Sequence, residues 1–209
     1  MGLVPRVKKK QKARLPTRIT PELCRLLGLL HGDGNMSYGR VLFTDRERQH
    51  HKVIHKLFRK VFGIRLNLFH DKRRNSYYSH TKNKAVYDYL VDELRMPRGA
   101  VRSQLSIPSF LPRLEMSLQA EYVGGLLDAE GCVKSRQAEI NFSTTSKGVY
   151  IFFKKFLARA KIEYSTYERA RYKNPEYEIY IYGKERLRSF SELVRFNHPL
   201  KRKRLAKFL

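Results

Sequence analysis

One short stretch occurs twice, and it constrains the fold more than any other feature of the chain. The first copy is Leu26-Leu27-Gly28-Leu29-Leu30-His31-Gly32-Asp33-Gly34. The second is Val123-Gly124-Gly125-Leu126-Leu127-Asp128-Ala129-Glu130-Gly131. Superimposed, Gly28 meets Gly125, Gly32 meets Ala129, Asp33 meets Glu130 and Gly34 meets Gly131. Each copy is an apolar run with small residues four apart, followed by an acid and a glycine. Thr20, Pro21 and Glu22 supply an N-cap, a proline in the first turn and an early acid, so the first copy is read as a helix from Pro21 to Asp33. The second is read as a helix from Leu118 to Glu130. Gly34 and Gly131 are expected to be the left-handed residues that end these helices. Small residues four apart let two helix backbones approach closely. Packed through those faces, the helices would bring Asp33 and Glu130 together at one end.

That position is unfavourable for acids. A helix C-terminus carries partial negative charge, and paired carboxylates raise each other's pKa. A rule broken twice at equivalent positions points to a functional site. A divalent cation would resolve the conflict, and oxygen ligands suit Mg2+ or Ca2+.

These two nonapeptides resemble the LAGLIDADG motif of homing endonucleases, in the single-chain, two-motif, pseudo-dimeric form. The resemblance runs from about Thr20 to Phe196 and implies an α+β fold. In that fold two αββαββα repeats carry antiparallel sheets that form a saddle over the DNA major groove. It implies a sequence-specific, Mg2+-dependent endonuclease that cuts both strands of a long, pseudo-palindromic target by phosphodiester hydrolysis, leaving 3′ overhangs. Mn2+ would substitute for Mg2+, and Ca2+ would support binding without cleavage. Asp33 and Glu130 would hold the metal, completed by the backbone carbonyls of Gly32 and Ala129. The family places polar and basic residues after the second strand of each repeat, here near Asp45-Arg46 and Thr144-Thr145. Asp45 departs from the Gln often found there. Arg46, Lys134 and Lys147 are the basic candidates for assisting catalysis. His31 and Asp128 fall at variable motif positions and read as structural or solvated.

The rest of the chain repeats one plan. Hairpin strands are expected at Arg40–Thr44, Ile64–Phe69, Ser76–Thr81, within Cys132–Ser143, and at Ile162–Tyr167 and Tyr177–Tyr182. Helical spacing of apolar residues marks Arg46–Phe62, Lys84–Leu94, Lys147–Ala160 and Lys184–Phe196. The boundaries expected are a basic arm at 1–19, a first repeat at 20–95, a proline-rich linker at 96–114, a second repeat at 115–200 and a basic tail at 201–209. The stretch from Met1 to Arg18 has seven basic residues and no acid, as a flexible arm along a DNA backbone would. Lys201-Arg202-Lys203-Arg204 is read as a solvated or phosphate-contacting tail.

Charge supports a polyanion partner: 44 Lys and Arg against 19 Asp and Glu give a net +25. With 42% hydrophobic residues, 12 Phe and 13 Tyr, the chain reads as globular rather than as a basic tail. In the strand Gln137–Ser143, the residues Gln137, Glu139, Asn141 and Ser143 share a face and can pair with base edges. Arg73, Arg74, Arg169, Arg171 and Lys173 surround the hairpin turns and suit phosphates. Arg40, Arg65, Asn67, Asn75, Tyr77 and Arg136 complete the expected DNA-contacting set. His51 and His55 are four apart but lack the following acid of a zinc-protease helix, and read as a solvated face. Two cysteines are too few for a disulfide framework, which favours an intracellular setting, in cytoplasm, nucleoid or organelle. No membrane-spanning run is visible. A monomer on double-stranded DNA is the expected assembly. The absence of protein-splicing blocks points to a free-standing enzyme, as an intron-encoded one would be. The alternatives are an RNA-binding maturase acting on intron RNA and a DNA-binding protein without catalysis.

Overall fold

The structure, a computed structural model, describes residues 11–99, 106–170 and 175–209. The first half runs α1 (Pro21–Asp33), β1 (Gly34–Ser37), β2 (Arg40–Asp45), α2 (Arg48–Phe62), β3 (Asn67–Asp71), β4 (Ser76–Thr81) and α3 (Lys84–Asp88), which continues as a π-helical turn through Glu93. The second half runs α4 (Met116–Glu130), β5 (Gly131–Val133), β6 (Glu139–Thr144), α5 (Lys147–Arg159), β7 (Ser165–Arg169), β8 (Glu176–Tyr182), α6 (Lys184–Leu193) and α7 (Pro199–Leu205). Each half folds one four-stranded antiparallel sheet, in the orders β1-β2-β4-β3 and β5-β6-β8-β7. The expected α+β duplication is therefore present.

The two motif helices are the centre of the molecule. Thr20 caps α1 by accepting the Leu23 N–H. From Leu23 to Gly32 every residue of α1 is buried, and so is every residue of α4 from Tyr122 to Asp128. The helices touch backbone to backbone. A Cβ at Gly28 would lie 2.0 Å from the Tyr122 carbonyl oxygen, and one at Gly125 would lie 2.0 Å from that of Arg25. At Gly32 a Cβ would meet the Ala129 Cβ at 2.2 Å. Only glycine allows this approach.

Gly34 and Gly131 depart from expectation. Both have extended backbones (φ −75° and −71°), because each motif helix passes straight into a strand with no left-handed turn. Glycine is needed there for room: a Cβ would lie 2.4 Å from the Leu30 carbonyl oxygen and 2.6 Å from that of Leu127. The left-handed cap occurs instead at Gly63, after α2. Tyr38 and Gly39 both take positive φ and make the tight β1–β2 turn.

Residues 11–19 and the C-terminal basic run are better packed than a solvated arm and tail. Within 11–19, the Arg14 N–H donates to Phe62 O, Gln11 exchanges bonds with the Arg65 backbone, and the Pro16 carbonyl accepts from the Tyr89 hydroxyl. Ala13, Leu15 and Ile19 rest on the core. Residues 1–10 lie outside the described residues. The C-terminal basic run is helical, because His198 and Pro199 form a helix start and Leu205 is buried.

Candidate active site at the paired helix ends

α1 and α4 end side by side, which places Asp33 and Glu130 there, both partly exposed. A Cβ on Gly32 would lie 3.1 Å from Glu130 Cγ, so the Glu130 side chain crosses over the end of α1. Glu130 also lines a cavity of about 180 Å³ with His31, Ser143, Thr144 and Thr145. The polar pair after β6 thus shares a space with the second motif acid. His31 itself is buried and hydrogen-bonds the Tyr122 hydroxyl through Nδ1 (2.6 Å). Burial pulls its pKa down to about 4, so it is neutral at physiological pH.

The cation at this centre comes from an element read as a tail. Lys201 on α7 donates to the carbonyls of Leu127 (2.9 Å), Asp128 (2.6 Å) and Ala129 (2.8 Å). It closes the C-terminal end of α4, where positive charge is favoured. Burial lowers the Lys201 pKa, against Asp33, Asp128, Asp45 and Glu130, which all favour the ammonium. Four carboxylates therefore favour the charged form of this buried ammonium. Arg46, Lys134 and Lys147 are exposed. Lys201 was legible only through its setting, since a histidine cap and a proline at the first helical position announce a helix where composition suggests a tail.

Asp128 explains how α7 is held. It is fully buried and accepts the N–H groups of Asn197 (2.9 Å) and His198 (2.9 Å). Arg25 reaches across from α1 to Asp128 (3.1 Å), Glu121 (2.8 Å) and the Arg195 carbonyl (2.7 Å). This buried pair has its remaining polar atoms satisfied, which a charge in the interior requires. Asp128 is thus structural, and it fixes the start of the helix that delivers Lys201.

Oxygen donors gathered around a cation suit a hard divalent ion, and the Lys201 ammonium already occupies part of that environment. Asp33, Glu130 and the Gly32 carbonyl are the groups that would hold such an ion. The Ala129 carbonyl, expected to be a further ligand, accepts a hydrogen bond from the Lys201 ammonium.

The sheets present the expected open faces, with corrections. In the first sheet, Leu42, Thr44, Asn67, Phe69, Tyr78 and His80 share the open side by register. Tyr77 belongs to the opposite face with Phe43 and Ser79, and stacks on His70 at 4.3 Å. Its removal from the contact set follows from strand parity: one residue's shift exchanges faces, so Tyr78 is the outward tyrosine. Arg40 is half-buried on β2, and Arg65, Arg73, Arg74 and Asn75 are exposed beside or within the β3–β4 hairpin. In the second sheet Glu139 pairs with Tyr182, Asn141 with Tyr180 and Ser143 with Glu178, but Glu139 and Glu178 are buried, so the expected open position of Glu139 is corrected. Arg136 and Gln137 are exposed in the β5–β6 loop. Arg169 lies over the Tyr167 ring and 3.7 Å from Glu178. This face is more aromatic and acidic than expected. Arg171 and Lys173 lie outside the described residues. His51 and His55 also differ from expectation: His51 is fully buried, and both bond the Ser79 hydroxyl (2.6 and 2.8 Å).

Residues 117–195 match the LAGLIDADG-like domain family. Over 139 residues the chain is 30% identical to a glutamine--fructose-6-phosphate aminotransferase [isomerizing] of Methanocaldococcus jannaschii, covering 64% of this chain but only 12% of that protein. Among solved structures it resembles the homing endonuclease I-DmoI in complex with DNA and calcium: TM-score 0.63, 17% identity, covering 90% of this chain and 97% of that one. It also resembles full-length DUF199/WhiA from Thermatoga maritima, with TM-score 0.61 and 11% identity, covering 93% of this chain and 62% of that one. The chain thus has the LAGLIDADG fold, with the match to the LAGLIDADG-like domain family falling on its second half.

Proposed function

We propose that this protein is a sequence-specific, divalent-metal-dependent endonuclease that cuts both strands of a long DNA site. The observation that carries the proposal is the pairing of Asp33 and Glu130 at the joined ends of two equivalent helices, with the sheets' open faces flanking them. When bound there, a divalent ion supplies polarisation of the scissile phosphates and an activated water. The chain's own groups do the rest. Asp33 and Glu130 hold negative charge where the helix ends alone would resist it. The hydroxyls of Ser143, Thr144 and Thr145 share the cavity beside Glu130 and can orient water there. Exposed Arg73, Arg74 and Arg136 meet phosphates, while Asn67, His80, Asn141 and Tyr180 face the base edges. The monomer is part of the proposal, because one chain carries both sheets and both acids. The aminotransferase name belongs to a protein of which this chain spans a small part.

A second reading, DNA binding without cleavage, draws support from one observation. Lys201 already places a cation at the centre and takes the Ala129 carbonyl. One experiment separates the two readings. A random duplex library is incubated with the full chain in Mg2+, and cut molecules are recovered; the same library is selected for binding in Ca2+. The nuclease reading expects one long site recovered in both arms. A site recovered by binding in Ca2+ but never cut in Mg2+ or Mn2+ would establish the second reading.

A further inference from the structure

Asp45, His50 and His198 form a cluster that the cleavage chemistry does not use. Asp45 ends β2, His50 stands in the first turn of α2, and His198 caps α7. One ligand atom from each lies within 4.8 Å of the others. Asp45 Oδ2 is 2.7 Å from His50 Nδ1 and 3.6 Å from His198 Nε2. The two imidazoles face each other with centroids 4.4 Å apart. His50 is completely buried and His198 nearly so (0% and 4% exposed). His50 Nε2 has no hydrogen-bond partner.

We propose that these three residues bind a transition-metal ion of the zinc class, at a site separate from the Asp33–Glu130 centre. The donor chemistry separates the two sites. Two imidazoles and one carboxylate suit Zn2+ or Co2+, whereas the all-oxygen centre suits Mg2+. Spacing agrees as well. Ligands about 2.1 Å from a tetrahedral ion lie about 3.4 Å apart; the 3.6 Å pair already fits, the 2.7 Å pair must open by less than about 1 Å, and the two imidazole nitrogens, within 4.8 Å of each other, must close by no more than about 1.4 Å. The carboxylate is oriented for the task, since Asp45 Oδ1 accepts the Glu47 N–H at 2.6 Å. Metal at His198 Nε2 moves that ring's proton to Nδ1. The contact given up is the cap from the Lys201 N–H, already 3.5 Å long. The ion would join the first sheet to the C-terminal helix. It would therefore act as a positioning device for Lys201, three residues beyond His198.

The test is a Co2+ titration of the full chain after chelator treatment, read by visible d–d absorption and followed by Zn2+ competition. One equivalent of Co2+ should give tetrahedral-type bands, and Zn2+ should abolish them and raise the melting temperature. His198→Asn keeps an N-cap acceptor while removing the ligand, and should weaken Co2+ binding by about 100-fold or more. If that variant does not fold by circular dichroism, Asp45→Asn supplies the same reading from the other half. The double variant Asp33→Asn/Glu130→Gln should keep the bands unchanged. Absence of bands in the wild type, bands that persist without a ligand, or bands lost in the double variant would each overturn the site.

Discussion

At the residue scale, Lys201 is the side chain with the most to do. It satisfies three carbonyls at the end of α4, and four carboxylates favour its charged form. Lys201→Met should leave those carbonyls short of a donor and cost about 1–3 kcal/mol of stability in denaturant titrations. It should also slow single-turnover cleavage by about 100-fold, the scale of losing one fixed charge at a reacting centre. Unchanged cleavage would remove Lys201 from the site. Cys24 gives a second check. It is fully buried, and burial, with Glu121 nearby, pushes its thiol up to about 12. At pH 8 the native protein should therefore react with a thiol reagent at half-exposed Cys132 only, and at both cysteines once unfolded. Two rapidly reacting thiols in the native state would contradict the packing of α1. The two proposed acids were legible in the sequence, because both break a local rule at the same motif position. The sequence did not show which cation balances them. That contact spans more than seventy residues, and no local pattern records it. Tyr77 was misplaced for a different reason: Ser-Tyr-Tyr-Ser-His-Thr has no clean apolar alternation from which to read strand parity.

At the element scale, the two motif helices determine whether the chain folds at all. Gly125→Ala would set a methyl 2.0 Å from the Arg25 carbonyl oxygen. Backbone cannot yield cheaply there, so a loss of about 3 kcal/mol or more is expected in chemical denaturation. A loss below about 1 kcal/mol, the size of a surface change, would show that the helices do not touch backbone to backbone. Helices, hairpins and the duplication were legible because caps, turn glycines and 3.6-residue spacing are local signals. The glycines closing the motifs were recognised as necessary for the wrong reason: they give room for strand entry rather than a left-handed turn. α7 was missed because its basic composition hid a helix start held by Asp128.

At the scale of the whole molecule, two sheets flank a shared pair of carboxylates, and a strongly basic chain presents them. In the proposed reading this pair is the cleavage centre, while the sheets and basic loops bind the target. The most direct measurement uses one duplex, the site recovered from the library, in parallel gel-shift and cleavage assays of the wild type, Asp33→Asn and Glu130→Gln. Both substitutions remove a charge from acids that oppose the helix dipole, so folding should be preserved. The account predicts that both variants bind the duplex within a few-fold of wild type in Ca2+ and fail to cut both strands in Mg2+. Double-strand cleavage at the wild-type rate by either variant would contradict it.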